Sequence, residues 1–286
     1  MYDRCKEGDV KIMKKMTLTK FSTYLFLIAA AVLWLIPIFF IIFTSLKTNA
    51  ELVESWFAFP KSPRWTNFVK AWTEGKLMMY MRNSFVLSIV KVPIGIFINA
   101  MAAFALTRMN FKWSNQVFIY FLVGMTLPVQ SSLVPVKLIM LNLHLVDTLT
   151  SLGIVYLAIG SSFGIFILRG FMRTIPRELD EAAKIDGSSS TALFVKVIIP
   201  LCKPAIATLV IFDFLGTWNE FILSQVLITK NKLMTITTGL LHFKGEYVTD
   251  YTLLSAGVLI SVIPVFTIFL IFQKYFVAGL VGSVKG

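Results

Sequence analysis

The feature that most constrains the fold is a series of long apolar runs, separated by short charged segments. A run of about 20 apolar residues is long enough to cross the hydrocarbon core of a bilayer as an α-helix. Charged residues make up only 15% of the 286 residues, which is too little for the water-exposed surface of a soluble protein of this size. The sequence therefore predicts an all-α integral membrane protein.

Six of these runs are predicted to be transmembrane helices. Their approximate bounds are Phe21–Leu46, Ser84–Leu106, Val117–Met140, Thr150–Phe171, Pro204–Ile228 and Leu253–Tyr275. The third run contains Pro128 and Pro135, and proline removes a backbone donor, so this span is expected to be kinked or broken. The first run follows several lysines, as a signal peptide would, but its apolar core is too long and no cleavage site follows. We therefore expect it to remain as an anchor.

Lysine and arginine in the loops indicate the orientation, because these residues accumulate on the cytoplasmic side. With six spans both termini share a side, and that side carries 16 Lys and Arg residues against about nine on the other. Both termini are therefore predicted to be cytoplasmic. The resulting divisions are a cytoplasmic tail (1–20), the first helix (21–46), an extracytoplasmic segment (47–82), a core (83–275) with a cytoplasmic loop at 173–203, and a C-terminal cytoplasmic tail (276–286).

The cytoplasmic loop has the residue order of a short helix that ends abruptly. Thr174 can cap a helix, Pro176 suits its first turn, and Gly187 suits a left-handed C-terminal cap. A helix is therefore predicted from Pro176 to Asp186, with acidic residues near its positive N-terminal end. Paired alanines on one face, Ala182 and Ala183, leave room for another surface to approach. A second helical element is predicted from Thr191 to Ile199.

Several stretches resemble the membrane subunits of ABC importers. The loop sequence "EAAKIDG", followed by Phe194 and "IIPLCKP", is similar to the cytoplasmic signature of these permeases. "WNEF" at Trp218–Phe221 and the ending "QKYFVAGLVGSVKG" resemble the smaller permease of maltose-type and multiple-sugar systems. The resemblance covers about Asn83 to Gly286. Lys91 departs from it, because the family usually has an apolar or small residue there.

This resemblance implies a type I ABC-importer permease fold whose cytoplasmic coupling helix docks on an ATPase. The residues that match the coupling motif are Glu181, Ala182, Ala183, Asp186 and Gly187. The implied partners are a second, homologous permease, two ATPase subunits or domains, and an extracytoplasmic sugar-binding protein. ATP and Mg²⁺ would bind to the partner ATPase, so this chain is expected to bind no cofactor. The implied function is import of a sugar, with a di- or oligosaccharide preferred, by alternating access.

Charged residues within the apolar runs point to an internal pathway. A charge at the bilayer centre costs about 2.5–3.5 kcal/mol on insertion scales, so such residues usually face a cavity or each other. Asp213 is expected to face the interior, whereas for Lys91 the sequence favours snorkelling outward over pairing with Asp213. The hydrogen-bonding groups that sugar hydroxyls need are offered by Gln130, Ser131, Ser132, Asn219 and Glu220. The candidate pathway residues are Gln130, Asp213, Asn219 and Glu220. Trp218 could stack on a sugar ring or anchor the interface, and Gly160–Gly164 is expected to serve helix packing.

Other classes of function find little support in the sequence. There is no phosphate-binding loop or catalytic motif, and two cysteines and two histidines lack metal-ligand spacing. The basic residues lie between apolar runs without an aromatic platform, which argues against nucleic-acid binding. Two alternatives stay open, an ion-gradient-driven secondary transporter and a non-transport membrane scaffold. The first is disfavoured because no pair of broken helices forms an internal repeat.

Overall fold

The computed structural model describes residues 2–109, 111–245 and 249–282, with side chains for 20–109, 111–245 and 249–274. The described chain is a helical bundle whose only β-type pairing is an isolated bridge between Lys244 and Thr249. The helices, in chain order, are α1 (Tyr2–Ser45), α2 (Asn49–Glu54), α3 (Thr66–Thr73), α4 (Leu77–Arg108), α5 (Ser114–Thr126), α6 (Val129–Asn142), α7 (Leu149–Thr174), α8 (Glu178–Ile185), α9 (Ser190–Leu201), α10 (Lys203–Asn219), α11 (Ile222–Leu227), α12 (Ile236–Gly239) and α13 (Tyr251–Gly282). The middle of α9, Leu193–Ile198, is a π-helical turn. Short 3₁₀ turns at Asn231–Leu233 and Leu240–Phe243 flank α12.

Four helices of the described chain are each long and apolar enough to cross a membrane. They are Lys20–Ser45 of α1, all of α4 and α7, and Tyr251–Lys274 of α13. Two bent pairs raise the number of spans to as many as six: α5 with α6, which meet at 102°, and α9 with α10, which meet at 75°. The architecture is therefore the predicted all-α membrane bundle.

The break between α5 and α6 confirms the prediction for the third span. It falls at Leu127 and Pro128, both of which have extended backbone angles. Proline lacks an amide hydrogen, and its ring disfavours the helical conformation of the preceding residue. Pro135, in contrast, lies inside α6 without ending it.

The fifth span differs from the prediction. A continuous helix from Pro204 to Ile228 is wrong, because α10 ends at Asn219 and α11 begins at Ile222. Glu220 is extended between them, and its carboxylate accepts hydrogen bonds from the amides of Leu223 and Ser224. The glutamate thus caps α11, which offsets the loss of helical hydrogen bonds at the break.

Small residues allow α4 and α7 to pack closely at the centre of the bundle. A Cβ atom at Gly164 would lie 2.1 Å from Nδ2 of Asn99, so only glycine fits this contact. This confirms the packing role expected for Gly160–Gly164. By contrast, α1 is peripheral, since none of the 18-residue apolar window in Lys20–Ser45 is buried.

Candidate functional site

An ion pair lies near the middle of the bundle, between α4 and α10. Nζ of Lys91 is 2.7 Å from Oδ1 of Asp213, and their side chains are 4% and 15% exposed. Lys91 is 14 residues into the 32-residue α4, or roughly 21 Å from its start at 1.5 Å per residue. The expectation that Lys91 snorkels outward is therefore wrong, because Asp213 neutralises it internally. The expectation that Asp213 faces the interior is confirmed.

Two glycines make the space that this ion pair occupies. A Cβ atom at Gly160 of α7 would lie 3.1 Å from Nζ of Lys91 and 3.2 Å from Oδ1 of Asp213. A Cβ atom at Gly95 of α4 would lie 3.3 Å from Oδ2 of Asp213. Any side chain at either position would press on the charged atoms. The small residues therefore serve the ion pair as well as helix packing.

A second polar pair joins α7 to the break between α10 and α11. The Tyr156 hydroxyl donates a hydrogen bond of 2.5 Å to Oε2 of Glu220. Tyr156 is 5% exposed, so its hydroxyl depends on this carboxylate for a partner. Glu220 thus holds three donors at once: this hydroxyl and the two amides of α11.

The two polar pairs line one cavity of about 270 Å³ within the bundle. Its polar lining residues are Lys91, Gln130, Tyr156, Asp213, Thr217 and Glu220. Three of the four predicted pathway residues, Gln130, Asp213 and Glu220, are therefore brought together. The fourth, Asn219, is exposed at the end of α10 and does not belong to this lining.

Trp218 fits neither of the roles considered from the sequence. It is 2% exposed, its ring stacks on Phe214 with centroids 5.5 Å apart, and its Nε1 donates to the carbonyl of Ser261. A buried indole with a satisfied donor can neither stack on a sugar nor anchor the membrane interface. Its place is in the core, between α10 and α13.

The charged helix α8 has the predicted abrupt end. Gly187 has φ of +75°, its amide donates to the Lys184 carbonyl, and the Ser188 amide donates to the Ala183 carbonyl. This pair of hydrogen bonds forms a Schellman motif, which requires the left-handed conformation that glycine adopts without strain. The predicted N-terminus is wrong, because Thr174 is the last residue of α7 and its hydroxyl donates back to the Phe171 carbonyl.

One face of α8 is attached to the membrane bundle by Arg108, the last residue of α4. Nε of Arg108 is 3.3 Å from Oδ2 of Asp180, and its Nη2 donates to the carbonyls of Met172 and Ile175. One guanidinium therefore joins the end of α4, the end of α7 and the first turn of α8. This role was not predicted from the sequence, although an arginine at the end of an apolar run was its signal.

The other face of α8 is exposed. It contains the residues predicted for the ATPase contact, with the exception of Ala183. Ala183 is 8% exposed and belongs to the same buried cluster as Leu193, Phe194 and Ile198. Since Ala183 is buried within the chain itself, the prediction that it lies on the exposed contact surface is wrong. The other predicted residues, Glu181, Ala182, Asp186 and Gly187, are exposed. Ile185 lies beside them and is 86% exposed.

Asp147 connects two loops at the opposite end of the bundle. It has φ of +61°, and its carboxylate accepts hydrogen bonds from the amides of Thr229 and Lys230 and from the Thr229 hydroxyl. Partial desolvation raises the pKa of Asp147, but these hydrogen bonds outweigh it and leave the pKa below its ordinary value. The loop before α7 is thereby fixed to the segment after α11.

No group of three or more potential metal ligands occurs among the described residues. The chemistry that the site offers is instead binding. The cavity presents the Lys91 ammonium as a donor, two carboxylates as acceptors and the Gln130 amide as both, among apolar residues. The Thr217 hydroxyl is an acceptor toward the cavity, because its hydrogen is donated to the Asp213 carbonyl. A few placed polar groups among apolar residues are typical of small-molecule sites.

Comparison with known proteins gives matches along nearly the whole chain. Residues 91–281 match the family described as "Binding-protein-dependent transport system inner membrane component". A probable ABC transporter permease of Bacillus subtilis, YurM, is 34% identical over 99% of this chain and 95% of its own length. The sulfoquinovosyl glycerol transport system permease SmoH of Agrobacterium fabrum is 34% identical, covering 91% of this chain and 93% of its own.

Two further matches concern sugars and the fold. The arabinooligosaccharides transport system permease AraQ of Bacillus subtilis is 31% identical over 93% of this chain and 98% of its own length. A chain in the crystal structure of a bacterial ABC transporter involved in the import of the acidic polysaccharide alginate superposes with a TM-score of 0.78. That chain is 21% identical, and the alignment covers 91% of this protein and 96% of that chain. This structural match supports the same arrangement of helices.

Proposed function

The chain belongs to the family of binding-protein-dependent transport system inner membrane components, and we propose that it is a permease subunit that imports a carbohydrate by ATP-driven alternating access. In this role it is a transport subunit of the prokaryotic plasma membrane rather than an enzyme. ATP and Mg²⁺ would be bound by partner ATPase subunits. The observation that carries the proposal is the polar cavity at mid-bundle, next to which lies a salt bridge that a purely structural membrane helix would not need.

The substrate that suits this cavity is a neutral di- or oligosaccharide. Sugar hydroxyls both donate and accept hydrogen bonds, and the Gln130 amide in the lining can do the same. The Glu220 carboxylate and the hydroxyl oxygens of Tyr156 and Thr217 can accept, since the two hydroxyl hydrogens are donated to Glu220 and to the Asp213 carbonyl. The only basic residue in the lining is Lys91, which is already paired with Asp213. The lining therefore offers no unpaired cation to an anionic group of a substrate. The printed names of relatives, such as an arabinooligosaccharide permease, support a carbohydrate.

Coupling to ATP hydrolysis is assigned to α8. Its exposed face presents Glu181, Ala182 and Ile185, which combine charge, small size and an unburied apolar group. In the proposed contact the ATPase would cover Ile185, which is 86% exposed in this chain. Arg108 would transmit movement of this helix to α4 and α7, because one guanidinium holds all three. Two ATPase subunits or domains are proposed, one for each permease.

The second permease is proposed to cover the apolar outer surface of α4. A cavity of about 470 Å³ is formed there with α9, α10 and α13, and its lining includes Phe85, Ile89, Pro93 and Phe97. An extracytoplasmic binding protein would deliver sugar at the end of the bundle that holds Asp147. Both chain termini and α8 are assigned to the cytoplasm by the distribution of lysine and arginine.

The experiment that tests this function is ATP hydrolysis by the assembled transporter. The chain would be co-expressed with the second permease, ATPase and binding protein from its own genome, and reconstituted in nanodiscs. We expect hydrolysis to rise when the binding protein is loaded with a neutral sugar from a panel of arabinobiose and maltotriose. Failure of the chain to co-purify with an ATPase, under conditions that keep the bundle folded, would contradict the proposal.

A further inference from the structure

A basic cavity of about 400 Å³ lies at the end of the bundle that carries α8, separate from the central polar cavity. It is formed where α4 ends, α5 begins and α7 ends. Its lining contains five basic residues and no acidic one: Arg108, Lys112, Arg169, Arg173 and Arg177. A concentration of positive charge without carboxylates is the chemistry of an anion site.

Arg169 is the buried centre of this cavity. It is 6% exposed, its guanidinium carbon lies 3.8 Å from the ring centroid of Phe118, and one Nη donates to the side-chain oxygen of Asn115. Its Nε has no hydrogen-bond partner, and within the described chain no carboxylate lies within salt-bridge distance of Arg169. Burying a cation without a counter-ion costs free energy, so an anion from outside the described chain would stabilise this guanidinium.

Three of the other four basic residues have no ion-pair partner among the described residues. Arg177 donates to the Thr107 carbonyl, and Lys112 lies 5.9 Å from the Trp113 ring centroid. Arg173 is exposed at the end of α7. Arg108 is paired with Asp180, but Asp180 does not line the cavity. Among the described residues, Asp180 is the only acidic group that neutralises any of the five.

The surroundings of the cavity place it at the depth of lipid headgroups. It lies where apolar helices end, and the turn between α4 and α5 exposes two large aromatic residues, Phe111 at 42% and Trp113 at 60%. Exposed tryptophan beside basic residues is characteristic of the membrane–water interface. Basic pockets between transmembrane helices are suited to the phosphate of an acidic lipid.

We propose that this cavity binds a phosphate group, that of an acidic phospholipid headgroup from the adjacent leaflet. The lipid phosphate would accept hydrogen bonds from Arg169 and Arg173. Arg177 and Lys112 would add positive charge at the edge of the cavity. Because Arg108 belongs both to this cavity and to the contact with α8, a bound lipid would lie directly beside the junction of the transmembrane helices with α8. This inference concerns a site distinct from the sugar cavity and does not depend on the identity of the transported molecule.

The test is lipid retention by the full-length chain, purified with the subunits that it keeps. Nanodiscs with equal amounts of phosphatidylglycerol and phosphatidylcholine would supply the lipids, and native mass spectrometry would count those retained. The variant is Arg173→Gln with Arg177→Gln, since both side chains are exposed and the fold should not depend on them. The matched control is Lys70→Gln with Lys244→Gln, which removes the same charge at the other end of the bundle.

We expect the parent and the control to retain phosphatidylglycerol over phosphatidylcholine, and the variant to bind it roughly 30-fold more weakly. Each basic residue near an anionic surface contributes a factor of about five, and two are removed. Equal retention by parent and variant would overturn the proposal. A second arm measures thermal stabilisation by excess inorganic phosphate in neutral detergent. Stabilisation of the parent but not of the variant, without enrichment of phosphatidylglycerol, would overturn the lipid source in favour of free phosphate.

Discussion

At the scale of single residues, the bundle contains two opposite charges, Lys91 and Asp213, which neutralise each other inside the membrane. Removal of either residue would leave the other as a charge without a counter-ion, at a position where the two side chains are 4% and 15% exposed. Removing one partner of a buried pair costs about 3–5 kcal/mol, whereas removing both can be nearly neutral. The pair therefore functions as a unit, and its energetic role is best read from the two single variants and the double variant together.

The first prediction follows from this coupling. Lys91→Met and Asp213→Asn should each lower the thermal stability of the purified protein strongly, and the double variant should recover most of the loss. The thermal stability would be measured as the fraction of protein that remains in a monodisperse size-exclusion peak after heating. The control is Lys137→Met in α6, because no buried carboxylate pairs with Lys137. Additive losses in the double variant would contradict a direct interaction.

Asp147 gives a prediction for pH. Its carboxylate has a lowered pKa in the folded protein, so it contributes stability at pH values above the unfolded pKa of about 3.9. That contribution is lost as pH falls through the folded pKa. Asp147→Asn tolerates the positive φ but lacks the charge, so the difference in melting temperature between parent and variant should be largest near neutral pH and shrink in acid. A difference that stays constant from neutral pH into acid would argue against this role.

The residue scale also shows why part of the site escaped sequence reasoning. Gly187 and the break at Pro128 were predictable, because each depends on the conformation that the residue imposes on its own backbone. Tyr156 and Glu220 are 64 positions apart, and Lys91 and Asp213 are 122 apart. No local pattern reports which of several buried polar groups meet across a bundle. Ala183 was misplaced for a related reason, since helical spacing gives a face but not the neighbour that covers it.

At the scale of elements, α8 is a short helix with one attached and one open face. Gly187 is the residue that lets the chain turn from α8 into α9. A residue with a Cβ in the left-handed conformation costs about 1–2 kcal/mol, and this strain would be relieved by shifting the end of α8. The breaks at Pro128 and Glu220 show the same principle, because each ends a helix with a specific local interaction. Only the first could be predicted, as proline acts on its own backbone whereas Glu220 acts through a cap.

Gly187→Ala should therefore weaken coupling without unfolding the bundle. We expect a normal yield of protein but less ATPase retained on purification, or hydrolysis that sugar-loaded binding protein no longer stimulates. Gly170→Ala is the matched control, because a Cβ atom there meets no atom within 4 Å and its φ is not positive. Identical ATPase retention and stimulation in the two variants would remove α8 from the proposed coupling role.

At the scale of the whole molecule, the orientation in the membrane rests on loop charges. In a background without native cysteines, cysteines at Ser62 and Asn231 should react in intact cells with a membrane-impermeant thiol reagent. A cysteine at Ser189, beside α8, should react only after the membrane is opened. All three positions are exposed, so reactivity reports the side of the membrane. Labelling of position 189 in intact cells would reverse the assignment.

The composition and the apolar runs determine the helical membrane bundle, and the broken third span was visible from proline. The arrangement of helices around the polar cavity was not, because close packing of α4 on α7 depends on glycines whose partners are far apart in sequence. The central polar cavity and the basic cavity each occur where several helices end or break. A sequence read one helix at a time does not reveal such places.

The measurement that tests the central claim most directly is sugar uptake into proteoliposomes containing the chain, its partner permease and their ATPase. The sugar-loaded binding protein would be added outside and ATP enclosed inside. We predict accumulation that requires ATP, persists when ionophores collapse the ion gradients, and is reduced in Gly187→Ala. Uptake driven by an imposed ion gradient in the absence of ATP would contradict the account and favour a secondary transporter.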